Sequence, residues 1–328
     1  MSSETVQDAG SARDAGSPVA ATGSATDNDA AAQAFRDRIA GAPISWGVCE
    51  APGWGLELGA DRVLREMSAL GLRATELGPT GYLGNSPAEV TDRLRRFGIR
   101  LIGGFLPVPL HIDADLDLAE AEQAIATLAA AGSEVLVLAA RSADGSYDRK
   151  VELTEADWPV LVGNLDRVRA IAERHGLSST LHPHVGTAIE SRASVLRLLE
   201  VTDVPLCLDT GHLLIGGMQP LELLEQAADR VAHVHLKDVR TSVSRTVSGG
   251  DSDYMGAVQA GLYAPLGTGD LDIAAIVGAL EGAGYQGWYV LEQDCALATE
   301  PGTEEGPARD VAQSIDYLLS VAAAPARP

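Results

Sequence analysis

Short apolar runs recur along this chain, each followed by a polar loop and then a longer stretch whose apolar residues fall at helical spacing. The runs APISWGV (42–48), RATEL (73–77), RLIGGF (100–105), EVLVLA (134–139), SSTLHPH (178–184), VPLCLD (204–209), RVAHVHL (230–236) and GWYVLE (287–292) predict strands. Between them, 60–70 carries Val63, Leu64, Met67 and Leu70 on one helical face, with Gly71 as a stop. Ser86, Pro87 and Glu89 predict a helix start in which Ser86 caps, Pro87 fits the first turn and Glu89 closes a capping box. Helices over 116–131, 158–175, 194–201, 221–228, 273–283 and 308–321 continue the series. Parallel strands need crossovers of this kind. An eightfold alternation without an interdomain linker therefore predicts a single-domain α/β fold, a closed (β/α)8 TIM barrel over 37–322.

Three segments fall outside that rhythm. Residues 1–36, rich in Ala, Ser, Gly and Asp, read as a flexible acidic tail with little reason to fold alone, and 323–328 as a flexible C-terminus. Residues 238–271 are long for a connection and hold six glycines, which predicts a structured active-site loop with a short helix over 254–259.

Composition narrows the function classes. A formal charge of -22, from 24 Lys plus Arg against 46 Asp plus Glu, repels phosphate backbones and anionic bilayers, so neither nucleic acid nor membrane is an expected partner. No run has the length needed to span a bilayer, and the N-terminal segment lacks an apolar signal core. Cys49, Cys207 and Cys295 are far apart and form no Cys-x-x-Cys pair, which points to the cytoplasm. GGDSDYMG and PLGTGDLD lack both the phosphate-loop and the dinucleotide signatures, so no nucleotide cofactor is expected. A homo-oligomer is compatible with the broad helical surface of a barrel.

The chemistry gathers at strand ends. In RVAHVHLKDVR, His233, His235 and Lys237 alternate with apolar residues, so an extended strand puts them on one face. A parallel barrel builds its site from the C-terminal ends of its strands, where HPH, DTGH, HLKD and LEQD fall. His182, Asp209, His235 and Glu292 thus offer two imidazoles and two carboxylates to one divalent ion. That set favours Mn2+ or Co2+, with Fe2+, Mg2+ or Zn2+ as alternatives, over a thiolate zinc site. Plainer roles stay open: Asp209 as a helix cap, and Glu292 paired with Lys237 or Arg240. Such an ion polarises a carbonyl and its neighbouring hydroxyl, which is what removal of the intervening proton requires.

The ordered motifs APISWG, ATELGPTGYL, LIGGFLPVPLH, LHPHVGT, LCLDTGHLLIGG, HVHLKDVR, PLGTGDLDI and GWYVLEQD resemble the inosose dehydratase branch of the xylose-isomerase-like TIM-barrel proteins. The likeness runs from about Pro43 to Leu319. It implies metal ligation by His182, Asp209, His235 and Glu292. It further implies dehydration of a cyclic polyol ketone, 2-keto-myo-inositol, to a trihydroxycyclohexane-1,2-dione, with no redox cofactor. Many epimerase relatives carry Glu where this chain has His182, a departure from a two-glutamate proton relay. The catalytic candidates are Glu292, His184, Lys237 and Glu76. The substrate-contact candidates are Trp46 and Phe105 as an apolar wall, His212 through its place in DTGH, and Arg240 for an anionic group; barrel packing or surface ion pairing would equally account for several of them. Isomerisation or epimerisation of a related sugar is the enzymatic alternative, and non-catalytic carbohydrate binding is the alternative of another class.

Overall fold

The structure, a computed structural model, describes Met1, residues 25–145, Tyr147 and residues 150–323. Eight parallel strands close into a barrel: β1 (Ile39–Gly41), β2 (Ala74–Glu76), β3 (Arg100–Val108), β4 (Val135–Ala140), β5 (Ser178–Leu181), β6 (Leu206–Asp209) and β7 (Val231–Leu236) run in chain order. A two-stranded antiparallel ribbon, β8 (Asp238–Val239) with β9 (Tyr263–Ala264), branches off before β10 (Tyr289–Leu291) seals the barrel between β7 and β1. The fold is thus the expected closed (β/α)8 TIM barrel.

Period-two alternation sorts the strand residues. On β4, Leu136, Leu138 and Ala140 join the large core beneath the helices, while Val135 and Val137 pack with Cys207 and Phe105 in a separate cluster. A second small cluster of Ala40, Ala42, Ala74, Ile102 and Val290 keeps part of the interior narrow. Between β2 and β3 the register slips: Thr75 pairs with Leu101, but Glu76 pairs with Gly103. A bulge of this kind re-aims side chains, and here it gives β3 one extra residue opposite Glu76.

Three expectations need correction. The strand predicted over 42–48 is a 3-10 turn, Pro43–Trp46, and the true first strand lies upstream at Ile39–Gly41. Pro43 has no N–H for a ladder between two neighbours, so pairing stops before it. Ser45 takes over, donating to the Leu291 carbonyl at 3.0 Å and accepting from the Gln293 N–H at 2.9 Å. The tail expected through residue 36 ends in a helix, Ala25–Arg36, and Phe35 packs its ring 5.1 Å from that of Tyr289. The rest of that tail, residues 2–24, and most of the expected C-terminal one, 324–328, lie outside the described residues. The capping box at Ser86 is displaced by one residue, because Glu89 accepts from the Asn85 N–H rather than from Ser86.

The excursion between β7 and β10 is ordered by one buried carboxylate. Asp238 accepts from the N–H groups of Val239, Gly267, Gly269 and Leu271 at 2.9 to 3.1 Å, so the end of the excursion folds around it. Gly269 is required there, since a Cβ would stand 2.2 Å from Asp238 Oδ1. The excursion carries the expected short helix, Tyr254–Gln259, and a second one, Thr241–Gly249, that the sequence did not announce. Tyr254, Val258, Leu262 and Tyr263 pack with Trp54, Val185 and Ile215 at the barrel rim. Asp238→Ala leaves four N–H groups without an acceptor and should cost at least about 2 kcal/mol. The expected signs are a lower urea midpoint and proteolytic cuts concentrated in 238–271; an unchanged midpoint would contradict this role.

Candidate active site

Four strand ends bring three of the predicted ligands, Asp209, His235 and Glu292, into one group, with His182 adjoining it beside Asp209. Beyond β5, His182 Nδ1 lies 2.8 Å from the Pro183 carbonyl. A carbonyl can only accept, so the ring proton sits on Nδ1 and Nε2 keeps a free lone pair. At the end of β6, Asp209 Oδ1 caps the next helix by accepting from the Gly211 and His212 N–H groups, at 2.9 and 2.8 Å. Its Oδ2 stands 3.7 Å from His182 Nε2 and 3.6 Å from His235 Nδ1. On β7, His235 gives Nε2 to Glu76 Oε1 at 2.9 Å and leaves Nδ1 3.2 Å from Glu292 Oε2, just past β10. Asp209 therefore both caps a helix and faces the site, and Glu292 both faces the site and pairs with Lys237 at 2.9 Å.

The donor set fits a divalent cation. Asp209 Oδ2 and His235 Nδ1 are buried with no hydrogen-bond partner among the described residues, and both point at the same small space. Asp209, His235 and Glu292 place their ligand atoms within 4.8 Å of one another. Buried groups left without partners in this way are what an ion would satisfy. Cys207 also comes within reach of His182 and His235, but burial pushes its thiol up to about 11, which favours the nitrogen and oxygen donors.

Charges around this space are strongly coupled. Burial would raise the pKa of Glu292, but His235 and Lys237 outweigh it and hold the carboxyl well below its usual range. Burial likewise opposes a charged His235, yet Cys207, Glu292 and Glu76 push its pKa well above that of a free imidazole. Lys237 is buried and still strongly held as an ammonium by Asp294, Glu292 and Asp209. Burial lowers His182 and His212 well below the usual value and brings His184 to about 4, so these three rings are neutral.

A cavity of about 520 Å³ opens over the cluster, walled by His182, His184, His235, Lys237, Glu292 and Asp294. Phe105 lines it as well, with its ring 6.1 Å from His182 and 5.6 Å from His184. The Gly in DTGH serves this packing: a Cβ on Gly211 would lie 2.7 Å from the Tyr263 ring and 2.9 Å from Lys237 Cβ.

Comparison with known proteins places the chain among barrels of this architecture. Residues 64–320 match the family model described as xylose isomerase-like TIM barrel. The inosose dehydratase of Geobacillus kaustophilus is 34% identical over 281 residues, covering 80% of this chain and 89% of that one. The inosose dehydratase of Salmonella typhimurium is 30% identical over 264 residues, covering 77% and 87%. The chain belongs to the xylose-isomerase-like TIM-barrel family, in its inosose dehydratase branch. A solved 3-keto-D-glucoside 4-epimerase from E. coli shares the fold with a TM-score of 0.57 at 19% identity, over 86% of this chain and 99% of that one. This member of the family is an enzyme of the lyase type, with a buried cluster able to hold a divalent cation. Among the described residues no helix is long and apolar enough to cross a membrane.

Within this xylose-isomerase-like barrel, three of the expected substrate contacts are placed elsewhere. Trp46 is fully buried in the core and donates its indole N–H to Glu66 Oε2 at 2.8 Å, because the 3-10 turn rotates it away from the cavity. Arg240 donates to the Gly261 and Tyr263 carbonyls and bounds a different depression, so it buttresses the excursion. His212 stands behind His184, ring centroids 3.8 Å apart, and is not part of the cavity wall. Sequence reasoning also missed partners. Asp294 pairs with Lys237 and accepts from the Tyr254 hydroxyl at 2.7 Å, and Tyr254 in turn meets the Tyr263 hydroxyl at 2.9 Å. LEQD carried the signal for Asp294, two residues beyond Glu292 and so on the same side; nothing local marked the two tyrosines.

An ion held only by the folded protein stabilises it, by about 2.7 kcal/mol at a hundred times its Kd. Mn2+ or Co2+ should accordingly raise the Tm, a chelator should reverse the rise, and His182→Ala should abolish most of it. Equal Tm values with and without metal would count against the ligand set.

Proposed function

We propose that this enzyme dehydrates 2-keto-myo-inositol to a trihydroxycyclohexane-1,2-dione, using one divalent cation, Mn2+ or Co2+, held by His182, Asp209, His235 and Glu292. The observation that carries this reading is the opening of His182, His235 and Glu292, together with His184 and Lys237, into one cavity in a chain 34% identical to an inosose dehydratase. A cation bound there supplies electrostatic stabilisation for the negative charge that develops on the ketone oxygen as the α-carbon loses its proton.

The side chains suit the two proton transfers. His184 donates Nδ1–H to the Val185 carbonyl at 2.7 Å, leaving Nε2 of a neutral ring as an acceptor at the cavity wall. It takes the α-proton. Lys237, kept as an ammonium by Glu292 and Asp294, gives a proton to the departing β-hydroxyl, which leaves as water. The remaining enol tautomerises to the dione, and no electrons are exchanged with a carrier.

Cavity charge supports an uncharged substrate. Glu50, Glu57, Glu76, Glu292 and Asp294 line it, five carboxylates against Lys237, His235 and the cation itself, and Lys237 is already paired. A phosphorylated or carboxylated sugar would meet a net negative wall. The three free cysteines support cytoplasmic residence.

The deciding assay incubates metal-loaded protein with 2-keto-myo-inositol and with candidate ketoses and resolves products by mass. Loss of one water from the inosose is the expected result. A product of unchanged mass with altered stereochemistry would instead assign an epimerase, and saturable binding without turnover would assign a carbohydrate-binding protein. Lys237→Met should lower kcat by roughly a hundredfold or more while leaving metal-induced stabilisation in place.

A further inference from the structure

Glu76 was expected as a catalytic group at the end of the second strand, yet its surroundings describe a different task. One of its oxygens, Oε1, receives both His233 Nε2 at 2.7 Å and His235 Nε2 at 2.9 Å. A carboxylate only accepts here, so both imidazoles carry their proton on Nε2 and the two lone pairs of Oε1 are used. For His235 the consequence is direct: with Nε2 committed, Nδ1 is the nitrogen whose lone pair a cation would take in place of a proton, and it faces Asp209 and Glu292.

The backbone is built around this carboxylate. The register slip between β2 and β3 sets Glu76 opposite Gly103, and a Cβ on Gly103 would lie 3.3 Å from Glu76 Oε1. His233 is fully buried, and its Nδ1 has no partner among the described residues, so the ring's hydrogen bonding is directed at Glu76 alone. A buried imidazole that serves one carboxylate, a bulge that aims that carboxylate and a glycine that makes room for it all act on the orientation of His235.

We propose that Glu76 is a positioning residue for the cation site: braced by His233 and accommodated by Gly103, it fixes the tautomer and ring angle of His235 so that Nδ1 is presented to the ion. This rests on His235 being a ligand. The carboxylate acts through the imidazole and needs no contact with substrate. Partners of this kind behind a metal-bound histidine orient the ring and raise its basicity.

The test uses the full chain stripped by chelator and titrated with Co2+, followed by calorimetry and by the visible Co2+ absorption bands, with kcat and KM measured separately at saturating Co2+. Glu76→Ala should weaken Co2+ binding by roughly ten- to a hundredfold and alter the bands, and excess Co2+ should restore much of the turnover. Glu76→Gln, whose amide oxygen still accepts, should recover part of the affinity. His233→Ala should also weaken binding, and the double variant should be no worse than Glu76→Ala alone, since both act through one contact. Gly103→Ala keeps the carboxylate and crowds it, so the test survives if Glu76→Ala fails to fold. Unchanged Co2+ affinity and bands in Glu76→Gln and Gly103→Ala, with kcat or KM altered at saturating Co2+, would overturn the proposal and place Glu76 against the substrate. His235→Ala separates the underlying reading: if it binds Co2+ as the parent does, His235 is not a ligand and the failure lies there.

Discussion

The barrel mouth gathers more buried negative charge than its own cations can balance, and much else in the molecule answers that constraint. Glu76, Asp209, Glu292 and Asp294 are all buried within one neighbourhood, against a single lysine and an imidazole that can carry charge. Removing a carboxylate from water costs several kcal/mol even after the protein relaxes. Lys237 is shared among three of these acids, and His235 is drawn toward its charged form by its acidic neighbours. A divalent cation at Asp209 Oδ2 and His235 Nδ1 would relieve the same imbalance while satisfying two atoms that have no hydrogen-bond partner among the described residues. Ligand convergence and electrostatic demand are thus one fact seen twice.

This explains why the positions of the site were easier to read than its partners. Barrel strands are short and end in conspicuous polar motifs, so periodicity and the placement rule for parallel barrels picked out HPH, DTGH, HLKD and LEQD, whose side chains the structure brings close together. The tertiary partners were silent. Nothing near Glu76 in the sequence announces two histidines more than 150 residues away, as the Glu76–His233 separation of 157 shows. Trp46 was misplaced because APISWGV reads as apolar alternation, whereas Pro43 ends the ladder and turns the indole outward to Glu66. Arg240 was misplaced for a related reason: a guanidinium beside a site motif suggests an anion, but backbone carbonyls of the excursion absorb it.

The excursion itself, read as a long glycine-rich loop, is part of the site's support. Asp238 gathers its closing turn through four N–H groups, and the Tyr254–Gln259 helix then brings the Tyr254 hydroxyl to Asp294. Asp294 grips Lys237. A buried, unpaired Asp294 would be costly, and burial does push its pKa upward against the pull of Lys237. The tyrosine hydroxyls supply the hydrogen bonding that keeps this acid beside the lysine instead of letting it turn toward the cation ligands.

One strand shows how sequence period becomes chemistry. Residues 233, 235 and 237 share a side of β7 and its extension, so they rise in steps along the barrel axis. His233, paired across the sheet with Cys207, braces Glu76 at the deepest step. His235, paired with Asp209, stands at the ligand level. Lys237 reaches the cavity between Glu292 and Asp294. The next residue, Asp238, points the other way and anchors the excursion that steadies Lys237 through Asp294 and Tyr254. A one-residue shift of this strand would send all three inward groups to the helical side. The same alternation therefore places all three on one side, in the roles proposed for them of support, ligation and proton supply, where a barrel interior would otherwise take valine or isoleucine.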